Sequence, residues 1–126
     1  VLAKWMAPVY ETAGLEPPEL ERNLMQSRLG GYDIVGLDWL ALEVKRQEQA
    51  AVGTWWRQTV RQASEGQVPF LMWRQNRRPW RFRVRVRTAH GAGDLWAHHF
   101  VDADLGLEEA EQWFQMELWW RLQREG

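Results

Sequence analysis

"GGYDIVGLDWLALEVKRQE", Gly30 to Glu48, sets an aspartate, a glutamate and a lysine inside a run that otherwise reads as a pair of apolar strands. Tyr32 to Gly36 and Leu40 to Arg46 are the strand segments, and the Gly-Leu-Asp between them suits a hairpin loop. The strand period of two puts Leu40, Leu42 and Val44 on one face and Ala41, Glu43 and Lys45 on the other. If the hairpin closes with Gly36 opposite Leu40, a three-residue loop, Asp33 lies opposite Glu43 and projects to the same side. A two- or four-residue loop shifts the register by one and separates them. The convergence of the three charges is conditional on that turn.

Two carboxylates held together repel, and burying them costs on the order of several kcal/mol unless a cation is present. A divalent metal supplies one. Asp33, Glu43 and the backbone carbonyl of Val44 form an oxygen set suited to Mg2+, leaving positions for a phosphate oxygen and a water that the metal would acidify. Lys45 beside them would orient that water and offset charge developing on a phosphoryl group. The competing reading is an edge-strand ion pair. Of sixteen basic residues only Lys4 and Lys45 are lysine, so a position that keeps a compact ammonium amid arginines favours the chemical reading.

Outward from this stretch, Leu2, Trp5, Met6 and Val9 predict a helix over Val1 to Thr12, with Pro8 in a first turn or at a kink and Gly14 and Pro17-Pro18 beyond its end. Glu19 to Gly31 reads as an irregular approach. Val52, Trp55, Trp56, Val60 and Ala63 predict a helix over Gln47 to Ser64, stopped by Gly66. Val68 to Trp73 is a nearly continuous apolar run, as a centrally buried strand requires. Trp80 to Thr88 alternates, with Trp80, Phe82, Val84 and Val86 against Arg81, Arg83, Arg85 and Arg87. Leu95 to Val101 predicts an edge strand. Ala110, Trp113, Phe114, Leu118 and Leu122 predict a helix over Glu108 to Gln123 with an acidic first turn. The expectation is one α/β domain, residues 1–126, with a central mixed sheet flanked by helices.

The formal net charge of -1 conceals a partition. Lys45 to Arg87 holds eleven basic residues and two acidic ones, with acidic segments on either side. Such a field attracts a polyanion such as nucleic acid, unless the arginines pair with the acidic tail. With no cysteine there is no disulfide framework and no thiolate metal site, which favours a cytoplasmic setting. No apolar run approaches the roughly 18 residues of a membrane span. The chain opens on Val1 without a leader pattern, so residues upstream are expected.

Ser27, Gly30, Gly31 and Asp33, followed by Glu43-Val44-Lys45, resemble the PD-(D/E)XK nuclease superfamily. The closest likeness is to archaeal-type Holliday-junction resolvases and related phage and prophage resolvases, where Ser-x-x-Gly-Gly-x-Asp leads into a hairpin ending in Glu-Val-Lys. The likeness runs through "WWRQTVRQA" (55–63) and "VPFLMWRQNRRPWRFRV" (68–84), about residues 20 to 88. It implies a restriction-endonuclease-like fold, Mg2+ or Mn2+ on Asp33 and Glu43, Lys45 assisting the attacking water, and Ser27 on a mobile loop near the scissile phosphate. It also implies a homodimer that cuts two strands. The family adds a glutamate from its first helix, where this chain has Ala3-Lys4-Trp5; Glu11 is misplaced for that role, so the group is expected before Val1.

Arg28, Arg46, Arg57, Arg61, Arg74, Arg77 and Arg78 are the expected DNA contacts. The stripe Arg81, Arg83, Arg85 and Arg87 either tracks a phosphate backbone, forms a solvated face, or pairs with Glu108, Glu109 and Glu111. Gln58 and Gln62 suit either a polar position near the site or an exposed helix face. His98-His99 lacks acidic neighbours at ligand spacing, and most tryptophans sit at core-like positions. The functional expectation is a Mg2+-dependent endodeoxyribonuclease acting on branched DNA, with no membrane partner and no small-molecule cofactor. The alternatives are a non-catalytic DNA-binding or assembly domain and a nuclease of linear duplex DNA.

Overall fold

The structure, a computed structural model, describes residues 2–22, 34–35, 37–87 and 100–125. Three helices, α1 (Leu2–Ala13), α2 (Val52–Gln62) and α3 (Leu107–Glu125), accompany six strands: β1 (Glu21–Arg22), β2 (Ile34–Val35), β3 (Leu40–Gln47), β4 (Val68–Gln75), β5 (Arg81–Arg87) and β6 (Phe100–Leu105). Strands β3 to β6 form one sheet in the order β3-β4-β5-β6, parallel between β3 and β4 and antiparallel thereafter. The expected α/β class with a mixed sheet and flanking helices is what forms.

The parallel step needs a crossover, and α2 provides it. Trp55 and Trp56 of α2 are buried against Leu71. On the other face α1 and α3 bury Leu2, Trp5, Met6, Val9, Ala110, Trp113, Phe114 and Leu118 with Leu40, Leu42, Phe70, Phe82 and Val84. Because β4 is covered on both sides, Phe70 and Leu71 point opposite ways and are both fully buried. That is why Val68 to Trp73 must be apolar without alternation. Phe70 lies 5.7 Å from Phe82 and stacks on Trp113 at 5.5 Å between ring centroids.

Local chemistry sets the element ends. Pro8 lies inside α1 without ending it, because both it and Lys4, whose carbonyl loses a partner, are exposed to water. The Thr12 hydroxyl donates to the Pro8 carbonyl at 2.9 Å. Gly14, at φ 74°, then takes the left-handed conformation that closes a helix at least cost.

Three boundaries differ from expectation. Helix α2 starts at Val52 because β3 continues to Gln47, whose carbonyl accepts from the Asn76 amide. Strand β6 runs to Leu105, beyond the expected stop at Val101, and Leu95 to His99 lie outside the described residues. Its extra length follows from Val101-Asp102-Ala103-Asp104-Leu105, which alternates in register with the arginine strand β5. Glu21–Arg22, expected to be irregular, pairs antiparallel with Val35 and Ile34. The expected hairpin would set Val35 opposite Ala41 and Ile34 opposite Leu42, but these two residues pair with β1 in a separate two-stranded sheet while β3 pairs with β4; Tyr32, Asp33 and Gly36 lie outside the described residues.

Phe70 joins the sheet to α3, so Phe70→Ala should cost about 3–5 kcal/mol of unfolding free energy. Met116→Ala, on the exposed side of α3, should change it by less than about 0.5 kcal/mol. Urea denaturation of both variants checks this, and equal midpoint shifts would contradict it.

Candidate functional site

The cross-strand register aligns the charged face of the sheet into two rows. Lys45 lies beside Trp73, which lies beside Arg81. One step along, Glu43 lies beside Leu71, then Arg83, then Asp104. Paired residues project to the same side, the side that α2 covers over β3 and β4. The fold therefore divides this face into a half roofed by tryptophans and a half lined by ions.

Glu43 is 6 % exposed, an unusual place for a carboxylate without compensation. Lys45 Nζ stands 3.4 Å from Glu43 Oε1 and remains partly open to water. The two share a face because they are two apart on a strand, as the sequence predicts. Val44 points to the opposite face and is 37 % exposed. Among the described residues no group of three or more His, Asp or Glu side chains is placed to hold a metal. Asp33, Ser27 and Arg28 lie outside the described residues.

The arginines separate into three groups. Arg46 and Arg74 are neighbours at the ends of β3 and β4, and Arg77 and Arg78 follow in the turn into β5. That turn is tied down: Arg78 N–H donates to Gln75 O at 3.0 Å, and Asn76 Nδ2 donates to Glu48 Oε2 at 2.9 Å. Arg77 holds φ 69°, a conformation that costs a non-glycine residue about 1–2 kcal/mol. Arg74 lies 5.5 Å over the Trp80 ring. Arg57 and Arg61 form the second group, exposed on α2, with Arg57 Nη2 donating to Thr54 Oγ1 at 3.3 Å.

The third group is neutralised within the fold. Arg83 donates to both oxygens of Asp104, at 2.7 and 2.9 Å. Arg85 Nε is 3.7 Å from Asp102 Oδ1 and its guanidinium lies 4.7 Å over the Phe100 ring. Asp102 also accepts from Trp56 Nε1 at 3.0 Å, fastening α2 to β6. The acidic partners of Arg83 and Arg85 are thus Asp104 and Asp102, not the glutamates of α3. Sequence reasoning missed them because the edge strand was ended at Val101; aspartates alternating with Val101, Ala103 and Leu105 were the available signal. The hydrogen bonds from Arg83 hold the Asp104 carboxyl below its usual range against partial burial, and the same contact raises Arg83.

A wide groove opens elsewhere. It is about 760 Å3, lined by Pro8, Val9, Met116, Trp119 and Trp120 between α1 and α3, and is on the side of the sheet away from Lys45. Compared with protein-family models, with curated proteins and with solved structures, the chain matches none.

Because the folded Asp104 pKa is depressed, its contribution to stability is present above the ordinary carboxylate range near 3.8 and is lost as pH falls through the lower folded value. Asp104→Asn should lower stability at pH 7 by up to about 1 kcal/mol, the pair being partly exposed. The difference from the parent should shrink steadily below about pH 4. Denaturant titrations across pH 2–7 check this; a constant difference would contradict it.

Proposed function

We propose that the chain is a metal-dependent endonuclease of the PD-(D/E)XK type, with a restriction-endonuclease-like arrangement as the finer description of its mixed sheet, acting as a homodimer on branched DNA such as a four-way junction. The observation that carries this reading is the Glu43–Lys45 pair: a nearly buried carboxylate and a half-open ammonium, 3.4 Å apart, on the covered face of β3. Support comes also from the arginines of the β4–β5 turn, which lie beyond the strand end that Lys45 approaches.

Each residue has a part. Glu43 is one carboxylate of a Mg2+ or Mn2+ site, with Asp33 as the second and the Val44 carbonyl as a further oxygen; a divalent ion held there supplies charge neutralisation and water acidification. Carboxylate and carbonyl oxygens suit such hard cations, and a buried Glu43 carboxylate has reason to recruit one. Lys45 orients the attacking water and balances the negative charge that grows on the phosphoryl oxygens as the phosphodiester breaks. Arg46, Arg77 and Arg78 hold the backbone on either side.

Cleavage of a labelled four-way junction and a matched linear duplex, each with Mg2+ and with EDTA, tests the proposal. The junction should be cut with Mg2+ alone, and Lys45→Ala and Glu43→Gln should each lower the rate about 100-fold or more. If Lys45→Ala cuts as fast as the parent, the catalytic assignment fails. Binding without cleavage would favour a DNA-binding domain, and equal cutting of the linear duplex would remove the preference for branches.

A further inference from the structure

Beside the row that carries Lys45, a cavity of about 300 Å3 is lined by Trp73, Gln75, Arg78, Pro79 and Arg81. Trp73 and Gln75 are two apart on β4 and so face the same way as Lys45, while Arg81 stands next to Trp73 on β5. Two guanidiniums and a side-chain amide therefore meet over an indole in one concavity. We infer that this cavity is a phosphate-binding subsite for a DNA backbone, seating the phosphate of a nucleotide neighbouring the one at Lys45. This rests on the nuclease reading for its geometry, because Lys45 and Arg81 are two strands apart, about 10 Å.

Three observations distinguish the cavity from the rest of the basic surface. First, its charge is only partly offset. Asp104 acts on Arg81 but is held by Arg83 at 2.7 Å, and the Glu109 carboxylate shares with Arg81 the space over Gly106. Among the described residues Arg78 makes no ion pair. Second, the Trp73 ring that lines the cavity is held in place by the Trp55 ring, 6.4 Å away, so a fixed indole lies beside the two guanidiniums. Third, the wall is rigid: Pro79 and the hydrogen-bonded turn from Gln75 to Arg78 fix where Arg78 projects, so little ordering is required on binding. Arginine rather than lysine fits the task, since a planar guanidinium meets a phosphate through two parallel N–H donors.

The test is equilibrium binding of a fluorescein-labelled linear duplex in EDTA, where nothing is cut, over a series of salt concentrations. Arg81→Gln and Arg78→Gln should each weaken binding about three- to tenfold and lower the slope of log K against log salt by about one. Arg124→Gln, on α3, should leave the slope unchanged. Arg78 is exposed in a turn, so its variant keeps the fold if Arg81→Gln does not. In nitrogen–proton spectra the Trp73 indole signal, identified by its loss in Trp73→Phe, should move when the duplex is added and stay still in Arg78→Gln. An unchanged slope in Arg78→Gln, or a Trp73 signal indifferent to duplex, overturns the subsite. Cleavage with Mg2+, in which Lys45→Ala should be slow, tests the nuclease reading separately, so loss of the subsite and loss of that reading are distinguishable.

Discussion

The parallel pairing of β3 with β4 is the constraint on which the rest depends. Antiparallel neighbours would be joined by a short turn, but a parallel pair needs a crossover, and the crossover helix α2 has to lie on one face of the sheet. Once Trp55 and Trp56 cover Leu71, the odd-numbered side chains of β3 are enclosed beneath a helix instead of facing bulk water. Glu43 is buried for that reason, and Lys45, two residues nearer the strand end, is left partly open. The same pairing puts Leu42 and Phe70 together on the opposite face, where α1 and α3 complete the core. A charged pair of graded exposure is thus a consequence of topology acting on period-two alternation.

Charge on the same face is distributed by a second constraint, the antiparallel register of β5 and β6. Arginines two apart meet aspartates two apart, and Arg83–Asp104 and Arg85–Asp102 become internal struts that also receive Trp56 of the crossover helix. What remains uncancelled lies around the β4–β5 turn and on α2. The basic block counted along the chain is consequently not one surface: part of it holds the sheet's second half together, and part is available to a polyanion. An arginine count alone overstates the uncancelled charge.

How much of this was legible in the sequence follows from periodicity. Phe82 and Val84 against Arg83 and Arg85, and Ala110, Trp113, Phe114 and Leu118 along α3, repeat without interruption, so their faces could be read directly. The shared face of Glu43 and Lys45 follows from the same rule and needs no knowledge of the fold. Glu21–Arg22 is too short to carry any period and could be recognised only from its partner. Asp102 and Asp104 were hidden by treating the strand as finished at Val101, because aspartate has low strand propensity; cross-strand pairing with arginine overrides that preference here. The burial of Glu43 was illegible for a different reason: it depends on where α2 packs, which is a tertiary event.

Under the proposed function Glu43 is a metal-ligating carboxylate and not one half of a structural ion pair. Paramagnetic broadening by Mn2+ addresses it directly. In amide spectra of the metal-free protein, substoichiometric Mn2+ should selectively broaden the signals of Leu42 to Lys45, and Glu43→Gln should abolish that selectivity while leaving the rest of the spectrum in place. Broadening confined to exposed acidic positions such as Glu108 and Glu109, or identical in the parent and Glu43→Gln, would contradict it.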